Sequence, residues 1–138
     1  MDNSILLTVT IVVLIVLLVI MARYNSKRVP VEKKSKILKK LDDLREQSES
    51  DEMYARRDAI IKLDNLLSKS LQIRYSNESS CGDNLKNAKT LFRKDYYQDI
   101  WDVHKLRNEI VHKDADVSYD SAQQAYKIYK MAITKILK

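Results

Sequence analysis

Residues Asp99 to Lys113 read Asp-Ile-Trp-Asp-Val-His-Lys-Leu-Arg-Asn-Glu-Ile-Val-His-Lys, with no glycine or proline. Ile100, Val103, Leu106, Ile110 and Val111 recur at helical spacing and share one face of an ideal wheel. Lys105, Glu109 and Lys113 fall opposite, four apart, as an exposed row of alternating charge. Arg107 interrupts the pattern, because the wheel sets it inside the apolar face between Val103 and Val111. A guanidinium there needs a partner or a wet cleft, since an unpaired buried charge costs about several kcal/mol. His104, Asn108 and His112, again four apart, form a polar line along the flank.

Arg107-Asn108-Glu109-Ile110-Val111-His112 resembles the Arg-polar-x-x-x-His signature of the HEPN superfamily. Those proteins are small helical bundles, many of them metal-independent ribonucleases. The resemblance covers roughly residues 51–137 and implies an all-α domain, a homodimer and RNA as substrate. It implies catalytic roles for Arg107, Asn108 and His112, and His104, Lys105 and Lys113 are the candidate substrate-binding residues. Arg107 and His112 are five apart, about 140° of helical rotation, so one helix cannot aim both at one point. In the family, the resemblance implies, two copies of this helix meet and each cleft draws on both.

The residue types suit that chemistry. Histidine titrates near neutrality and can take the proton of a ribose 2′-hydroxyl. Arginine stays charged and grips a phosphate through two parallel hydrogen bonds. Asn108, one turn before His112, is placed to orient its imidazole, and the family product is a 2′,3′-cyclic phosphate. A purely structural reading competes: Arg107 paired with a core carboxylate, Asp64 being the candidate, and His112 near the carbonyls of the helix end.

The 138 residues allow one ordinary domain. One glycine, one proline and 45% hydrophobic residues favour long helices with few tight turns. Cys81 is the single cysteine, which excludes an internal disulfide and fits a reducing compartment. The net charge of +6 is uneven, with nine Lys/Arg against five Asp/Glu in residues 23–50.

Residues 1–22 are expected to form a transmembrane anchor with a short external N-terminus. Ile5 to Ala22 is eighteen residues without a charge, enough to span a bilayer. A cleaved signal peptide would need a positive n-region and a small-x-small site; Met1 to Ser4 and the run's end at Ile20-Met21-Ala22-Arg23 supply neither. Arg23, Lys27, Arg28, Lys33, Lys34 and Lys36 follow, and the positive-inside rule puts the C-terminal domain in the cytoplasm.

Residues 23–50 read as a basic juxtamembrane connector helix, with Ile37, Leu38, Leu41 and Leu44 at helical spacing. Its lysines serve topology and solubility, contact anionic membrane lipid, or both; they carry no interleaved aromatics suited to nucleic acid. Residues 51–138 are expected to be a HEPN-like four-helix bundle of up-down type. Its first helix, capped by Ser50, has the stripe Met53, Ile60, Leu63, Leu67 and Leu71. Tyr75 to Asn84 reads as a loop around the only glycine, and Leu85 to Phe92 as a short helix. Ser118 is the expected cap of a last helix whose Ala122, Ala125, Tyr129, Ala132, Ile133 and Ile136 share a face.

Other chemistries fit poorly. No glycine-rich phosphate loop is present. His104 and His112 lie two turns apart, about 12 Å along the axis, too far to share a metal. No metal or cofactor is expected. Two functions of different class follow: a membrane-tethered ribonuclease, and a non-catalytic dimerisation or docking module that meets an unidentified protein partner at the membrane.

Overall fold

A computed structural model describes residues 2–26 and 28–138. Those residues form six α-helices and one 3₁₀ turn, with no strand. The first helix, α1 (Asn3–Ser26), carries no charge before Arg23, and its large apolar side chains are exposed from Ile5 to Met21. It is long and apolar enough to cross a membrane, a property that signal sequences share.

The remaining helices are α2 (Val31–Ser48), α3 (Met53–Tyr75), α4 (Cys81–Asn87), α5 (Lys94–Lys113) and α6 (Tyr119–Ile136). The central one is α3, which packs against α2, α4, α5 and α6. Its Ile60, Leu63, Leu67 and Leu71 are fully buried. The three alanines of α6, all buried, let it lie close to α3, while Tyr129, Ile133 and Ile136 fill the core between them.

The segment read as a connector, α2, packs along both α3 and α6 and buries Ile37, Leu41 and Leu44 in the common core. Its apolar stripe belongs to the same hydrophobic cluster as Ile60 and Ile133. Gln123 Nε2 bonds the Ser48 carbonyl and Tyr126 Oη bonds the Leu41 carbonyl, fastening α6 to α2. A fragment starting at Ser50 would strip α2 from its core, so the bundle is best studied in the full chain.

The stretch Tyr75 to Asn84 is not one loop. It ends at Ser80, whose hydroxyl accepts from Asp83 N and caps α4. Gly82 sits inside that helix with no left-handed backbone, so its turn signal was local and weak. The short helix therefore starts and stops earlier than its apolar spacing suggests, and a 3₁₀ turn at Lys89–Leu91 carries the chain on to Phe92. Ser118 caps α6 as expected, accepting from Ser121 N. At the start of α3, Glu52 occupies the cap position, and Ser50 Oγ accepts from its backbone N–H.

Candidate functional site

The motif residues lie on α5, whose inner face buries Ile100, Val103 and Ile110. Val111, expected on that face, is 47% exposed. It stands one residue past Ile110, about 100° round the helix, and so turns away from the buried face.

Beneath α5 lies a buried polar cluster centred on Asp64 of α3. The Asp64 side chain is 4% exposed, and its Oδ1 lies 2.9 Å from His104 Nδ1. The Tyr129 hydroxyl reaches the same oxygen at 3.1 Å and the Val103 carbonyl at 3.0 Å. Arg107 Nε stands 3.7 Å from Asp64 Oδ2, so the pairing foreseen from the wheel is present. It is loose: Nε is buried and has no hydrogen-bond partner. Arg107 Nη1 donates to Asn108 Oδ1 at 2.9 Å. Asn108 thus engages the arginine, where the spacing had suggested the His112 imidazole.

The candidate residues separate into two groups. His104, Arg107 and Asn108 are partly buried around Asp64, with the indole of Trp101 edge-on to His104 at 5.8 Å. His112, Lys105 and Lys113 are exposed. His112 lies on the last turn, about 12 Å along the axis from His104, so one chain does not unite the two histidines.

Two arginines that the periodicity did not single out fix the end of α5. Arg57 of α3 pairs with Asp114, the left-handed residue that stops the helix, and its Nη2 reaches the Ile110 carbonyl at 3.4 Å. Arg56 Nε donates to the Val117 carbonyl at 3.0 Å, and its Nη1 to the Ser50 and Asp51 carbonyls. Together they hold the turn after His112 against the start of α3. A basic residue inside a helix that should be amphipathic was the available signal.

Cys81 joins the cluster from the first turn of α4. One donor atom each from Asp64, Cys81 and His104 lies within 4.8 Å of the others. These atoms offer an oxygen, a sulfur and a nitrogen, a set that suits zinc. Against a cation stand Arg107 beside the carboxylate and the cost of ionising the thiol. Burial, and after it the Asp64 charge, pushes the Cys81 thiol up from 9.0 to about 12. Burial and Asp64 also raise the Tyr129 phenol.

Both groups hold their protons more tightly folded than unfolded. Their contribution to stability is therefore complete below the ordinary thiol value of 9.0 and is lost as the pH climbs from there toward 12. The urea midpoint of the full chain should fall on raising the pH through that window. Iodoacetamide should label Cys81 only after unfolding; labelling of the folded chain at the rate of a free thiol would contradict this burial.

Comparison with protein-family models, with curated proteins and with solved structures returned no match.

Proposed function

We propose that the chain is a membrane-tethered, HEPN-like helical protein whose α5 carries a metal-independent endoribonuclease centre acting on cytoplasmic RNA. The supporting observation is Arg107. Its guanidinium lies at the edge of the core, 27% exposed, loosely opposed by Asp64 and with Nε lacking a hydrogen bond. Nε is sealed from solvent and Nη1 is held by Asn108, which leaves Nη2, not buried and without a hydrogen bond among the described residues, as the donor open to a phosphate.

In the proposed reaction His112 takes the 2′-hydroxyl proton, and the 2′-oxygen attacks the adjacent phosphorus. The 5′-oxygen leaves and takes a proton from water, and His112 later gives up its own to solvent, leaving a 2′,3′-cyclic phosphate and a 5′-hydroxyl end. Arg107 balances the charge that builds on the phosphate, and Asn108 holds the guanidinium. His104, Lys105 and Lys113 contact the substrate backbone. The 140° between Arg107 and His112 calls for a homodimer meeting along α5, in which each cleft takes His112 from the other copy. The basic residues after α1 support an anchor with the domain in the cytoplasm. The family link is an analogy of motif and helical architecture.

The second reading, a docking module for an unidentified protein, is favoured by the Asp64–Arg107 pair, which is also what a structural arginine would make. Arg107→Leu in the detergent-solubilised full chain separates the two. The ribonuclease reading expects cleavage lost and stability within about 1 kcal/mol of the parent, because Asp64 keeps His104 and Tyr129. An unfolded variant would assign Arg107 to the core.

A further inference from the structure

Between α2 and α3 runs an open groove of about 650 Å³. Lys33, Lys36, Lys39 and Lys40 from α2 and Lys69 from α3 line it, and all five are exposed. Lys36 pairs with Glu32 at 2.7 Å; the other four have no carboxylate within ion-pair distance among the described residues. Asp43 is the one acid on the lining, and Ile37 and Ile73 give the groove an apolar floor. An adjoining recess of about 490 Å³ shares Lys33 and Lys69 and adds one cation, Arg28, and one acid, Glu78.

Lys33 and Lys40 are seven residues apart, about 10 Å along α2. That exceeds the screening length at physiological salt, about 8 Å, so these exposed ammonium groups repel one another only weakly and both can face one anion in the groove.

Charge also reverses along α2. Residues 31–40 hold five lysines against Glu32, whereas residues 41–48 hold Asp42, Asp43 and Glu46 against Arg45. The positive half is the half joined to α1, with only residues 27–30 between the two helices. We infer that the α2–α3 groove binds the phosphate headgroup of an anionic phospholipid and so holds the bundle against the leaflet that α1 enters. Lysine ammonium groups supply compact charges for a phosphate, and the apolar floor takes the first methylenes of an acyl chain. RNA fits less well, since no aromatic side chain lines the groove to stack on a base. The inference rests on α1 being retained as an anchor, not on ribonuclease activity. The intact mass of protein extracted from membranes reads the former directly.

The test uses the full chain in neutral detergent micelles doped with phosphatidylglycerol or phosphatidylcholine, with retained lipid counted by native mass spectrometry. Phosphatidylglycerol should be retained in preference. The pair Lys33→Glu and Lys69→Glu should weaken that retention roughly tenfold or more. The pair Lys127→Glu and Lys130→Glu, exposed on α6 and equal in charge change, should leave it intact. Circular dichroism confirms folding, and Lys33→Gln with Lys69→Gln gives a milder version of the same loss. Equal losses from both pairs would mean diffuse charge and overturn the site. Displacement of the lipid by inorganic phosphate or by single-stranded RNA at matched ionic strength would overturn the lipid assignment.

Discussion

His112→Ala is expected to lower RNA cleavage by about 10²–10⁴ while leaving the helical content and the thermal midpoint unchanged. His112 is exposed on the last turn of α5, so truncation removes little packing. Surface changes of this kind usually stay within about 0.5 kcal/mol, and the interaction of a histidine with a helix end is of similar size. The rate is the sensitive readout because proton transfer has no substitute at that position. Cleavage of labelled RNA, beside a melt of the same preparation, checks both halves. If His112→Ala retains cleavage and His104→Ala loses it, proton transfer belongs to the imidazole held by Asp64.

The largest stability effect is expected at Asp64. Asp64→Ala should cost about 3 kcal/mol, the lower end of the range for breaking a buried charge pair. The carboxylate is 4% exposed and faces His104 Nδ1, the Tyr129 hydroxyl and Arg107 Nε. Its removal leaves Arg107 without a counter-charge, and the partial exposure of that guanidinium at 27% keeps the loss from being larger. Tyr129 keeps the Val103 carbonyl. Trp101, the single tryptophan, lies against His104 and reports urea unfolding from inside the cluster. Asp64→Asn, which still accepts from Tyr129, should cost less. A loss for Asp64→Ala below about 1 kcal/mol would mean that the cluster does not hold α3, α5 and α6 together.

The sequence was most legible where one local rule decided the outcome. The uninterrupted apolar run specified α1, the period of Ile100, Val103 and Ile110 specified the buried face of α5, and Ser118 marked the start of α6. The Asp64–Arg107 pairing was also readable, because a charge inside an apolar face demands a partner and Asp64 stood at the edge of the facing stripe.

What escaped was non-local. Arg57 and Asp114 are 57 residues apart, and Arg56 and Val117 are 61 apart, so no spacing rule connects them. Cys81 joins Asp64 and His104 from the first residue of α4, a boundary set by the Ser80 cap and hidden by the turn signals around Gly82. The stripe of Ile37, Leu41 and Leu44 on α2 is plain in the sequence, but its lysines fit a membrane-facing connector equally well. The structure adds that its other side belongs to the core.

The most direct measurement is incubation of the purified full chain, in detergent and EDTA, with mixed single-stranded RNA, followed by analysis of the fragment ends. The account expects cleavage that survives chelation and leaves 2′,3′-cyclic phosphate and 5′-hydroxyl ends, abolished in Arg107→Leu and His112→Ala. Intact RNA after prolonged incubation with folded protein would contradict it, as would cleavage that EDTA abolishes.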